Sequence, residues 1–165
     1  MERDTGVFIS AAVGILMTVA AAILGARIHR KITPQIDGTM EGIVMVEGYG
    51  DACDVYRISE TKEVYLKRTF QLEGEEGQVI VTALGKWKEK RGRFKIKMDR
   101  KSSEYESAVE FKNKKGRVVK PSKLVDEIIF LPISEVTDTS AVISLKRKDK
   151  EGDKVWKTFP MVRMK

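Results

Sequence analysis

One cysteine and one histidine in 165 residues remove several kinds of chemistry at once. Cys53 has no partner for an intramolecular disulfide. With no histidine near it in sequence, it reads as a small core residue rather than a nucleophile. His29 alone cannot complete a Cys/His zinc set or a Ser/His/Asp triad, and it stands among basic residues, outside the segments that could form a core. No glycine-rich phosphate loop precedes a helix, and the acidic turn Glu73-Gly74-Glu75-Glu76 lacks the spaced oxygen ligands of a calcium loop. No catalytic residue, cofactor or metal is therefore assigned, and the expectation is a protein that is not an enzyme. Prolines number only four, and no repeat or low-complexity tract breaks the chain, which argues against long linkers.

What the chain has is one long uncharged run. Thr5 to Ala26 carries no charge over 22 residues, and Arg27, His29, Arg30 and Lys31 then follow closely. As a helix the run measures about 33 Å, enough to cross a hydrocarbon core of about 30 Å. The expected fold is thus an N-terminal single transmembrane α-helix followed by an all-β soluble domain, an antiparallel sandwich or barrel. Residues 1–32 form a membrane anchor whose collar is Arg27, Arg30 and Lys31, and residues 33–165 form the β-rich domain. One Lys/Arg before the run and three just after it favour a single-pass protein with its domain in the cytoplasm.

Two readings would place the domain outside instead. Ala20-Ala21-Ala22 offers an A-x-A signal-peptide site, although the leader lacks a positive n-region. The short charged stretch ending at Gly6 resembles a type IV pilin leader, but Ala11 stands where pilins carry a glutamate. Within the run, Ser10, Gly14, Thr18, Ala22 and Ala26 recur every four residues. That ridge of small side chains lets helices approach closely in lipid, so it is the expected helix-packing face for self-association or a protein partner.

The formal charge is +7, and residues 33–165 hold 27 Lys/Arg against 22 Asp/Glu. Such an excess suits an acidic protein or anionic lipid; nucleic acid is not the expected partner. Alternating apolar residues predict strands over 40–47, 52–58, 62–72 and 78–84, then a hairpin over 85–98, with Val64, Leu66 and Phe70 turned inward. The segment around Ser103 to Phe111 reads as strand. Further strands are predicted over 116–120, 127–133, 140–147 and 154–163, about nine in all, with 121–126 a short helix.

The hairpin carries the most distinctive surface. Alternation sets Lys86, Lys88, Arg93, Lys95 and Lys97 on one pleated face, a candidate site for a polyanion or an acidic partner. Trp87 and Phe94 alternate with these lysines and so fit the core better than base stacking. A second basic cluster runs through Lys112, Lys114, Lys115, Arg117, Lys120 and Lys123.

Tyr65-Leu66-Lys67-Arg68-Thr69-Phe70-Gln71-Leu72-Glu73-Gly74 resembles the lysine-bearing box of bacterial type I signal peptidases. That resemblance implies a membrane-anchored Ser/Thr–Lys-type hydrolase with Thr39 as nucleophile and Lys67 as general base. Threonine replaces the serine here, the proline two residues past Met40 is missing, and no GDNR-like box occurs. The leading expectation is a non-enzymatic membrane-anchored accessory, scaffolding or assembly subunit. The alternatives are an exported envelope or surface-appendage component and the hydrolase.

Overall fold

The computed structural model describes residues 35–74 and 77–164. The expected membrane anchor, its expected collar (Arg27, Arg30, Lys31) and the expected packing ridge Ser10, Gly14, Thr18, Ala22 and Ala26 lie outside the described residues. Among the described residues, no helix is long and apolar enough to cross a membrane.

Eight antiparallel strands follow one another around a closed barrel: β1 (Gly38–Val46), β2 (Gly50–Ile58), β3 (Glu63–Gln71), β4 (Gln78–Lys90), β5 (Arg93–Tyr105), β6 (Ile128–Pro132), β7 (Ser140–Lys148) and β8 (Lys154–Met164). The architecture is a barrel, not a sandwich. Every strand pairs with its sequence neighbours, and β8 returns to β1 to leave no free sheet edge.

Period-two alternation explains most of this. On β3, Val64, Leu66 and Phe70 point inward, and on β5 Phe94, Ile96 and Met98 do the same. Val44, Tyr56, Val79, Val81, Ile129, Leu131, Ile143 and Leu145 fill the interior from the other strands. Two strands expected separately, 78–84 and the first arm of the hairpin, form the single strand β4. Its pairing with β5 is interrupted by a bulge, where the register jumps from Thr82↔Glu104 to Leu84↔Asp99. The extra β5 residues bend the sheet there. Gly85 sits at the bend, and a Cβ on it would come within 2.7 Å of the Lys97 carbonyl.

The strand expected over 116–120 is a lone bridge between Lys112 and Val118. Gly116 turns the chain at φ +73°, and Pro121 just beyond has no N–H to extend a ladder. Residues 121–126 hold only a single 3₁₀ turn, Pro121–Lys123. The long β5–β6 connection nevertheless belongs to the core, because Val119, Leu124 and Val125 are buried.

Closure depends on β1 and β8, which pair only from Thr39↔Met164 to Glu41↔Val162. Continuing that register would set Pro160, which has no donor, opposite Ile43. Gly42 permits the close approach: a Cβ there would fall 2.5 Å from the Pro160 carbonyl oxygen. Cys53, expected in the core, is half-buried on the outer face of β2, because the inward positions beside it are Ala52 and Asp54. Burial, with Glu41 and Asp54 nearby, pushes its thiol pKa up, away from a reactive thiolate.

Candidate functional site: a basic groove beside a buried charge network

The bend at Gly85 and the bulge in β5 open a groove of about 1650 Å³ on the barrel. Its lining comes from the start of β1, the end of β2, the start of β3, the middle of β4 and β5, and the 3₁₀ turn. Arg57, Lys86, Lys97, Arg100, Lys101, Lys120 and Lys123 face it, against only Glu63, Asp99 and Glu127. Leu84, 56% exposed, and Tyr65 supply an apolar surface between these charges. Arg100 donates from Nε to the Ser122 carbonyl at 2.6 Å, tying the bulge to the 3₁₀ turn.

The strand register places the hairpin lysines directly across from one another: Lys86 opposite Lys97, Lys88 opposite Lys95, and Lys90 opposite Arg93. Like charges in this position repel, at about 0.2–1 kcal/mol per pair. Of the five residues singled out in the sequence, Lys86 and Lys97 line the groove, while Lys88, Arg93 and Lys95 continue along the hairpin beyond it. Lys120 and Lys123 of the second basic cluster join the groove from the connection; Lys112, Lys114, Lys115 and Arg117 do not.

Inside the barrel, reaching the connection just after the 3₁₀ turn, lies a charge network that the sequence reading missed. Arg68 is fully buried and forks onto Asp54, Nε to Oδ1 and Nη2 to Oδ2, both at 2.7 Å. Tyr56 donates its hydroxyl to the same carboxylate at 2.8 Å, and Arg68 Nη1 donates to the Leu124 carbonyl at 2.7 Å. Asp126 then bridges Arg68 (3.0 Å) and Arg147 (2.6 Å), and Arg147 Nε reaches the Met45 carbonyl at 2.6 Å. Among the described residues, no buried side-chain polar atom lacks a hydrogen bond.

These bonds join β1, β2, β3, β7 and the connection around one set of charges. Burial raises the Tyr56 pKa well above its ordinary value, and the Asp54 charge adds to this. Burial pushes Asp126 upward too, but the hydrogen bonds and charges of Arg147 and Arg68 outweigh it and hold the carboxyl below its usual range. The signal for this network was present in the sequence. Arg68 falls between inward Leu66 and Phe70, and Asp54 between inward Ala52 and Tyr56.

A second cavity of about 530 Å³ opens where this network reaches the surface, and it shares Arg100, Lys123 and Glu127 with the groove. The two hollows therefore present one largely basic lining.

No family model, curated protein or solved structure matches the chain. What the site can do is read from its own groups. Thr39 lies on the rim of the groove, opposite Arg57, whose other neighbour is Tyr65. Lys67 is therefore two strands over and two residues along, about 12 Å away by strand spacing. A nucleophile and its base need hydrogen-bond reach, and the register does not bring these two together. Lys67 Nζ instead lies 3.9 Å from Glu106.

Proposed function

We propose that this chain is a non-enzymatic, single-pass membrane-anchored accessory subunit whose barrel holds an acidic, partly apolar segment of a partner protein. The observation that carries this reading is the groove, where seven Lys/Arg against three acids surround the exposed Leu84 and Tyr65. Cations around an apolar floor suit a chain that alternates Asp/Glu with bulky apolar residues. The apolar part supplies burial, and the charges supply orientation and faster encounter.

The like-charged pair Lys86/Lys97 supports the same reading, since an acidic occupant relieves a repulsion that the free barrel carries. The uncharged run from Thr5 to Ala26 supplies the anchor in this proposal, and its Lys/Arg bias sets the barrel on the cytoplasmic side. Ser10, Gly14, Thr18, Ala22 and Ala26 would add helix contacts within the bilayer.

A photo-crosslinking residue at position 84 of the full chain tests the proposal in native membranes. The expected adduct is an acidic protein segment, and it is lost in the Lys97→Glu/Lys120→Glu variant. Adducts to lipid alone, or adducts unchanged in that variant, would refute the assignment.

A further inference from the structure

A second surface lies on the outer face of β5–β8; none of its residues lines the groove, although Trp156 and Lys146 also border the second, smaller cavity. Phe130 and Trp156 meet there edge to face, with ring centroids 4.9 Å apart. Trp156 is 45% exposed, on a face where β-barrels in water usually carry polar residues. Cations crowd these rings. The Arg93 guanidinium sits 3.9 Å over Phe130, Lys146 Nζ lies 5.8 Å from the Trp156 centroid, and Lys95 stands directly opposite Phe130 in the register.

We propose that the Phe130/Trp156 face docks on an anionic lipid surface. Tryptophan and phenylalanine flanked by Lys/Arg match the headgroup layer, where rings enter the boundary and cations pair with lipid phosphates. Each cation near such a surface adds to the attraction, and salt screens it. The same residue types also serve nucleic-acid binding, but that mode needs ring faces free to stack bases. Arg93 already covers the face of Phe130, and the 61° angle between the rings offers no parallel platform. Headgroup insertion needs only ring edges with cations beside them. Nothing in this inference rests on the acidic occupant proposed for the groove.

The chain has two tryptophans, Trp87 and Trp156, and neither lies in the uncharged N-terminal run, so fluorescence can report on this face in the full protein. The full chain is reconstituted into vesicles of phosphatidylcholine, with or without phosphatidylglycerol, carrying brominated acyl chains. The expected result is stronger tryptophan quenching with phosphatidylglycerol. That increment is lost in Trp156→Phe, lost in Arg93→Glu/Lys95→Glu, and suppressed by high salt. Quenching that is equal in the two vesicle types, or an increment unchanged in Trp156→Phe, overturns the inference. So does a single-stranded oligonucleotide that shifts Trp156 emission while phosphatidylglycerol does not. Circular dichroism of each variant separates lost docking from lost folding.

Discussion

Asp54 and Arg68 set the terms at the residue scale. Each is fully buried, so each depends on the other to stay charged without water. Asp54→Ala leaves the Arg68 guanidinium without its forked partner, and the expected loss is about 3–5 kcal/mol in urea unfolding. Asp54→Leu/Tyr56→Phe/Arg68→Met removes both charges together with the hydroxyl that pairs with Asp54, and should recover part of that loss. Asp126 adds a pH dependence of known sign. Its folded pKa lies below the ordinary value, so its stabilisation is present above the unfolded value of about 3.9 and is lost as pH falls through the folded one. This group's contribution to unfolding free energy should therefore decline as pH falls below about 4. Asp126→Asn should be less stable at neutral pH and show a flatter acid limb. These charged residues were legible in principle, since Val64-x-Leu66-x-Arg68-x-Phe70 puts Arg68 inward by alternation alone. What the pattern cannot supply is the partner: Asp54, Leu124 and Asp126 come from a different strand and a distant connection, and only barrel closure brings them together.

At the scale of elements, the strands were readable where one face is apolar and the other charged. β3 and β7 stand close to their expected places for that reason, with mostly apolar inner and mostly polar outer positions. The joins between strands were less legible. The bulge between Thr82 and Leu84 merges two expected strands into β4, and nothing in the local pattern marks it except Gly85. Closure at β1 and β8 depends on Gly42, whose missing side chain has no periodic signature. Gly42→Val places carbon where the Pro160 carbonyl lies, and should lower stability by about 1–3 kcal/mol, read as a fall in Tm. Phe130 shares the outer face with Lys95, although the sequence reading found only aromatics that alternate with lysines. That neighbour belongs to β6, so it enters the face through strand pairing rather than through the hairpin's own pattern. Lys88→Glu turns a like-charged pair with Lys95 into an attractive one. It should stabilise the barrel by about 0.2–1 kcal/mol while weakening the anionic-lipid increment, a gain in stability at the expense of binding.

On the scale of the whole molecule, the barrel presents two basic surfaces of different kinds. One is a concave groove with a leucine and a tyrosine inside it, and the other is a flank where cations surround Phe130 and Trp156. The network of Asp54, Arg68, Asp126 and Arg147 lies between barrel and connection and holds in place the segment that carries Lys120 and Lys123. The groove is thus shaped from inside the barrel as well as from its rim. The decisive question is whether that groove, and not basic charge in general, selects an acidic occupant. The most direct measurement is the affinity of a fluorescent peptide alternating Glu with Leu and Phe for the full chain in neutral phosphatidylcholine nanodiscs. Lys97→Glu/Lys120→Glu should weaken binding about tenfold or more, about 1.4 kcal/mol, with affinity falling as salt rises. Lys114→Glu, a charge reversal outside the groove, should leave it unchanged. Equal weakening by Lys114→Glu, or none by the groove pair, would contradict the account.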